Sequence, residues 1–439
     1  MGYDEYRRKK QSAQNVALTI DTVTYRKQES DENENRPNAE NGALLHAALP
    51  TTSLRASDIF SGIGGLALGV HQSGFQTVGL LEHCSRACAL LERNLPLLST
   101  ERSVPSIVNA DIRTVSNSPI LAGLDLLTGG PPCQPFSRGG IKKGQADQRN
   151  LFPEAIRLIR ATAPRSFLFE NVKGLMTSAN LPYLEYVELQ LKFPSILQGR
   201  RTWESHYALL QRYSIKCGSP TYEVHRFVAN AANYGSAQKR ERIFLVGFNS
   251  SNSAEWAAPQ ATHCPEMLAY AKWKTGHYWL EHQLRPQKPN SIEKLELDRS
   301  LRMLEKRPEY YKLQRWRTVR DVLNGLPELP NRKLMSALNH SPMPGARSYE
   351  GHTGSEPDRP SKAIKAGNHG VAGGENMMRN ADGSVRYFTM RELARIQSFP
   401  DNFELVGNKS TLTRQLGNAV PVCLARQIGT ACFKALRQV

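Results

Sequence analysis

The sequence predicts an α/β protein built on a doubly wound mixed sheet, with a second, smaller and irregular domain appended. Three observations predict it. From Leu54 to Phe248, short apolar runs alternate with amphipathic stretches, the rhythm of strands and covering helices. Two of those runs, SDIF and LDLLT, end directly in glycine-rich turns, where a strand hands the chain to a loop or helix. Beyond Phe248 the rhythm stops, and from about residue 262 to 384 Pro, Lys, Arg, Trp and Tyr accumulate among irregularly spaced turn residues.

In chain order, residues 1–53 mix charge runs with Asn, Glu and Ser and show no sustained period, so a mostly disordered extension is expected, with docking on the core as the alternative. The stretch from Leu54 to Glu82 reads strand, glycine turn, helix, strand. Similar alternation continues through SIVNADI, LDLLTGG, the helix PEAIRLIRATAP, and the strands SFLFENV, YEVHRFVAN and RERIFLVGF. Residues 54–261 are therefore read as the catalytic, ligand-binding domain. Residues 262–403 form the second domain and hinge, and 404–439 a segment that returns to the first domain. In that last part QLGNAVPVCLARQIGTACFKAL reads as a glycine turn followed by a long helix.

Composition narrows the function. The chain has 439 residues, enough for two or three domains with a real core, and 40% are apolar. Lys and Arg number 57 against 40 Asp and Glu, a formal charge of +17 that favours a polyanionic partner over an inert basic surface. The longest apolar runs are strand-sized and the N-terminus has no secretory h-region, so neither a membrane span nor secretion is expected. The seven cysteines are scattered and odd in number, which argues against a disulfide framework and for a reducing, cytoplasmic setting. Cys84 and Cys88 share a helix face, but no second Cys/His pair completes a metal site.

Four groups carry chemistry. Gly62-Ile-Gly64-Gly65-Leu-Ala67 follows a short strand and opens a helix, the context in which G-x-G-x-x-G/A lets a backbone approach a nucleoside-bearing ligand; NAD and S-adenosylmethionine are both open on this ground. Glu82, about 20 residues on, ends the second strand where an acid can accept from ribose hydroxyls. Asp111, after the third strand, suits either an adenine amine or a helix N-cap. In GGPPCQPFS the fixed φ of Pro131, Pro132 and Pro135 frames Cys133 at a strand's carboxyl edge, a candidate nucleophile against the alternative of inert packing. Glu170 in FLFENV is delivered to the same edge; semi-buried surroundings raise a carboxyl's pKa and suit it to donate a proton, the alternative being a salt bridge. Gln238-Lys-Arg240-Glu-Arg242 runs into an apolar strand, and arginines two apart in an extended segment share a face, with forks that suit phosphate, carboxylate or a base edge.

The order and wording of DIFSGIGG, GGPPCQPFS, ENV, QKRERIFLVGF, RELARIQSFPDNF and QLGNAVP resemble the DNA (cytosine-5)-methyltransferase family, collinear from about residue 55 to 430. The resemblance implies the S-adenosylmethionine-dependent methyltransferase fold with a target-recognition domain in the variable region. It implies that Cys133 adds to C6 of a cytosine swung out of duplex DNA, that Glu170 binds the N3 and N4 edge and supplies a proton, and that Arg242, with Arg240 near it, steadies the base. The implied cofactor is S-adenosylmethionine without a metal. Phe60, Gly62 and Gly64 would lie at its adenosyl and methionine parts, Glu82 at the ribose, Asp111 at the adenine, Pro132 beside the catalytic loop, and Asn418 in a turn folding back to the site. A monomer acting on double-stranded DNA is expected, with a separate cognate restriction endonuclease as a further partner.

Two segments depart from the family pattern: the extension 1–53, and a long stretch between Leu181 and Arg212 where an inserted helix or loop is expected. The absence of an added reader domain points to a bacterial modification enzyme. A tRNA methyltransferase of the same fold is the rival, but its Cys-Phe-Thr stretch is not found.

Overall fold

The computed structural model describes residues 54–116, 118–132, 150–252, 255–329, 339–350, 353–367 and 376–438. The extension 1–53 and Cys133 lie outside the described residues. Seven strands, β1 (Arg55–Ile59), β2 (Gln76–Glu82), β3 (Ser106–Asn109), β4 (Leu126–Gly129), β5 (Ser166–Val172), β6 (Tyr222–Asn230) and β7 (Glu241–Asn249), pair in the order β3-β2-β1-β4-β5-β7-β6. The first five run parallel and β7 is antiparallel to both β5 and β6. The mixed sheet expected from the sequence is present. Its central strands are buried on both faces, which is why they read as continuous apolar runs rather than alternating ones.

Helices cover both faces: α1 (Gly65–Gln72), α2 (Ser85–Asn94), α3 (Phe152–Thr162), α4 (Leu181–Lys192) and α5 (Trp203–Cys217). α3 shows why such segments are helical. Pro153 sits in its first turn with Glu154, Phe152, Ala155, Ile156 and Ile159 turn inward, and Ala163 ends it in the left-handed region at φ 41° just before Pro164. The long stretch noted after Leu181 is a helix pair, α4 and α5. It packs Tyr186, Trp203 and Tyr207 together and ties to β6 through Arg226 Nε and Glu188 Oε1 at 2.6 Å.

The following region holds α6 (Pro265–Ala269), α7 (His277–Glu281), α8 (Ser291–Lys306) and α9 (Val319–Leu323), with short strand pairs β8 (His263–Cys264) with β9 (Gln314–Arg315) and β10 (Met377–Arg379) with β11 (Val385–Tyr387). Its local core is aromatic: Tyr278 and Trp279 are buried with Leu268, beside Trp273 and Trp316. The Lys272 ammonium lies 4.6 Å from the Trp273 ring centroid and donates to the Asp358 carbonyl, 3.1 Å away, tying this core to the segment around residue 358.

α10 (Met390–Ile396), α11 (Lys409–Asn418) and α12 (Val422–Arg437) complete the chain. One hydrophobic cluster joins Ile63, Leu80 and Leu91 to Val319, Val322, Leu393 and Leu416. α12 lies on α1 so closely that a Cβ on Gly69 would stand 2.4 Å from Ala425 Cβ. The expected glycine turn in QLGNAVP is corrected here: Gly417 and Asn418 end α11, and the chain turns at Ala419–Pro421 instead. Gly417 is needed for a different reason. A Cβ there would lie 2.5 Å from the Ala366 backbone nitrogen, so the segment 364–366 crosses directly over it.

Candidate active site

In the strand order, β2 and β3 lie on one side of β1, and β4 and β5 on the other. Doubly wound sheets bind ligands at the carboxyl edge of such a switch point, because the two following loops diverge and leave a crevice. The register pairs Ile59 with Gly129, so the Phe60–Gly64 and Gly130–Pro132 segments leave the sheet side by side. Gly129 makes this approach possible, since a Cβ there would fall 2.7 Å from the Ile59 carbonyl oxygen.

The first loop is held in left-handed conformations at Phe60 (φ 58°), Gly62 (φ 55°) and Gly64 (φ 83°). A bulky residue at positive φ is strained and persists only where the surroundings fix it. Glu82 does much of the fixing: Gly62 N donates to its Oε2 and Cys84 N to its Oε1, each at 2.8 Å. Each carboxylate oxygen keeps further acceptor capacity for a hydroxyl. Asn418 belongs to this corner as well. Its neighbour Ala419 carries a Cβ 3.3 Å from where a Gly65 Cβ would lie.

Asp111 lies two residues beyond Asn109, which pairs with Glu82 across β2 and β3. Its side chain caps the short turn Ile112–Thr114 by accepting from Arg113 N at 3.0 Å, and it pairs with the Arg113 guanidinium. The Arg113 hydrogen bonds hold its pKa down at about 2. The N-cap alternative noted from the sequence is thus the contact present. Exposed acceptor capacity remains at the same edge.

On the other side of the crevice, β5 pairs Phe169 with Gly129, so Glu170 extends one residue past β4 and its Oε2 would stand 3.5 Å from a Cβ on Gly130. Because β7 runs antiparallel, its start meets the end of β5, with Val172 opposite Arg242. Arg242 Nε lies 2.6 Å from Glu170 Oε1, both side chains being largely buried. The Nε–H is not aligned on that oxygen and has no hydrogen-bond partner among the described residues. Pro132 is half-buried and its carbonyl accepts from Leu151 N at 3.3 Å, which brings the two ends flanking residues 133–149 together.

Arg240 and Arg242 take different partners. β7 begins at Glu241, so Arg240 precedes the strand, and it is 2% exposed. Its Nη1 donates to the Ile364 carbonyl at 3.0 Å and Nη2 to the Gly417 carbonyl at 2.7 Å. Burial pushes its pKa well below the ordinary arginine value, with the Arg242 charge adding and Glu170 opposing. Arg242 faces Glu170, while Arg240 braces the crossing of residue 364 over α11.

Three contributors were given no role of their own by the sequence reading. Asp58 is buried on β1 with its Oδ1 2.5 Å from Thr128 Oγ1, joining the two strands that carry the loops; burial raises its pKa to about 7. Asn171 Nδ2 donates to the Pro131 carbonyl at 2.9 Å, pinning the proline loop to β5. Gln238 Nε2 donates to Gln397 Oε1 at 2.7 Å, and Ile364 N donates to Gln238 Oε1 at 3.0 Å, completing the brace around Arg240. The ENV and QKRER strings were visible signals for the second and third. No local pattern marks Asp58.

No group of three or more potential metal ligands is found among the described residues, and no helix among them is long and apolar enough to cross a membrane. The arrangement places a glycine loop held by the Glu82 carboxylate beside a proline loop and the Glu170–Arg242 pair, all at one edge of the sheet.

The family of C-5 cytosine-specific DNA methylases matches residues 54–193 and 203–434. The Type II methyltransferase M.AplI of Arthrospira platensis is 31% identical over 375 residues, covering 84% of this chain and 83% of that protein. M.NgoMIV of Neisseria gonorrhoeae is 26% identical over 390 residues, covering 87% of this chain and 97% of that protein. In fold, a prophage-encoded chain of E. coli superposes with a TM-score of 0.52 at 20% identity, covering 88% of this chain and all of that one. The methyltransferase EhMeth of Entamoeba histolytica gives 0.51 at 13% identity, covering 88% and 99%. With a matched family spanning most of its length and the fold of S-adenosylmethionine-dependent methyltransferases, this chain belongs to the C-5 cytosine-specific DNA methylases and is a DNA (cytosine-5-)methyltransferase.

Proposed function

We propose that the protein methylates C5 of a cytosine flipped out of a specific double-stranded DNA sequence, through a covalent bond between Cys133 and C6. The observation that carries this reading is the meeting of the Glu170–Arg242 pair with the Gly130–Pro132 segment at the switch point, one residue before Cys133. Cytosine C5 is a poor nucleophile. Addition of the Cys133 thiolate to C6 forms a C–S bond and moves the C5–C6 electron pair to C5, where it can attack an electrophilic methyl group. Glu170 accepts from the exocyclic amine and protonates N3 as the ring charge develops. The unsatisfied Arg242 Nε–H suits the base's carbonyl oxygen. A base, water among the candidates, then removes the C5 proton, and the thiolate leaves as the C5–C6 double bond re-forms.

Bound S-adenosylmethionine would supply the sulfonium methyl group. The residues fit it: Gly62 and Gly64 keep the backbone open at the helix start, Phe60 and Pro132 belong to the two loops, Glu82 retains acceptors for the ribose hydroxyls, Asp111 follows β3 with acceptor capacity exposed, and Asn418 ends α11. Residues 262–403 would supply target recognition, and the Type II relatives make a separately encoded restriction endonuclease a natural companion. Because the target base is stacked in the duplex, it must be extruded at a cost of a few kcal/mol.

Bisulfite sequencing of DNA from a host expressing the protein tests this reading, since protected cytosines report both activity and sequence. A duplex carrying 5-fluorocytosine at that site should trap the wild-type chain covalently, because fluorine does not leave as a proton does. Cys133→Ser should give neither protection nor adduct, and retained turnover in that variant would sink the mechanism.

A further inference from the structure

Between α8 and the segment 353–365 lies an open groove of 1570 Å³. One wall is a single face of α8. Ile292, Leu295, Arg299 and Met303 follow at steps of three and four residues, line the groove and are all solvent-exposed. Ile292 is 75% and Leu295 57% exposed, an uncommon state for large apolar side chains on a helix that anchors itself by burying Ser300 and Leu304. The opposite wall carries Lys239 and Lys362.

Charge and position favour one occupant. Six basic side chains line the groove against four acidic ones, and of those acids Glu293, Glu296 and Glu356 are paired with Arg359 or Arg379. Glu266 is the remaining one. Arg299 has no partner among the described residues, so its fork is available to a base edge or phosphate. The groove also shares a chain segment with the reaction centre. Lys239 is exposed three residues before Arg242, and its backbone N donates to the Ser361 carbonyl at 2.9 Å, so the lysine wall is joined to the segment that presents Arg242 to Glu170. An α-helix of side-chain diameter about 10–12 Å matches the ≈12 Å width of the DNA major groove.

We propose that α8 is the base-reading element of this enzyme: its Leu295 and Arg299 face contacts base edges in the major groove while Lys239 and Lys362 opposite hold the phosphate backbone. This rests on the reading of the protein as a DNA methyltransferase acting at a specific sequence. The apolar side chains suit the thymine methyl group and the apolar edges of the bases. The unpaired guanidinium suits the guanine O6 and N7 acceptors. The lysines, which carry no sequence information, would set affinity and its salt dependence.

The test uses the full-length enzyme and the duplex identified by bisulfite sequencing. Lys362→Ala should weaken binding of every duplex uniformly and reduce the slope of log affinity against log salt by about one. Leu295→Ala and Arg299→Ala should instead compress the ratio of methylation rates between the cognate duplex and duplexes with one base pair changed, by about tenfold. Arg302→Ala, on the same helix but outside the groove, should leave that ratio unchanged, and the thermal melting of each variant separates loss of contact from loss of fold. Should the wild-type enzyme methylate DNA at a defined site while the α8 variants keep its site ratio, α8 does not read the sequence and the inference fails alone. Should the wild-type enzyme methylate no DNA, the functional reading itself fails and takes this inference with it.

Discussion

Asp58 combines deep burial with a position between the two strands that bear the site. Burial raises its pKa from 3.8 to about 7 against the hydrogen bonds from Thr128 and Ser61, and the Glu82 charge pushes the same way. A folded-state pKa above the unfolded value means that the charged form is disfavoured in the native protein. This group therefore removes stability as pH rises from about 4 to about 7, by about 4 kcal/mol when complete. Asp58→Asn keeps the shape without the proton equilibrium, so urea midpoints measured at pH 5 and pH 8 should differ less for this variant than for wild type; equal differences would show that the carboxyl does not titrate as described. For Glu170, Gln keeps the hydrogen-bonding outline and removes the transferable proton. Turnover of Glu170→Gln should fall about a hundredfold or more with DNA affinity little changed. A weakened complex with normal single-turnover chemistry would contradict the proton role. Glu170 was legible because an acid interrupts an apolar strand end. Asp58 was not, because a buried carboxyl on a strand differs from an exposed one only through its neighbours, and those are set by sheet register 70 residues away in sequence.

The elements show the same division. Strand ends and glycine loops were readable because burial on both faces leaves uninterrupted apolar runs and tight turns demand glycine. The string QKRER was readable as important but not in its division of labour. The neighbours brought by tertiary packing decide that Arg242 meets Glu170 and Arg240 meets backbone carbonyls from two distant segments. The end of α11 was misread because Gly417 is explained by a neighbour crossing it, and not by a turn. Arg240→Lys supplies one donor head where two carbonyls need a fork, and losing one charge-assisted hydrogen bond should cost about 2 kcal/mol. Its melting temperature should drop, and the Michaelis constant for DNA should rise more than turnover falls. An unchanged melting temperature would show that the brace carries no load.

Across the whole molecule, the last helix closes the fold against the first. Gly69 on α1 has no space for a methyl group, since its Cβ would lie 2.4 Å from Ala425 Cβ and 2.6 Å from the Val422 carbonyl oxygen. Gly69→Ala should therefore destabilise the protein by about 1–3 kcal/mol through overpacking, as read by chemical denaturation. Undiminished stability would mean that α12 can shift without penalty. The passage of residues 364–366 over Gly417, held by Arg240 and Gln238, bears on how such enzymes are retargeted. A chimera that exchanges the variable region for that of a relative would cut through this crossing if its downstream junction were placed after Ala366. Grafts should therefore keep Gln238, Arg240, the 364–366 segment, Gln397 and Gly417 from one parent, so that the exchange ends on the variable side of Ser361 and inherits an intact joint.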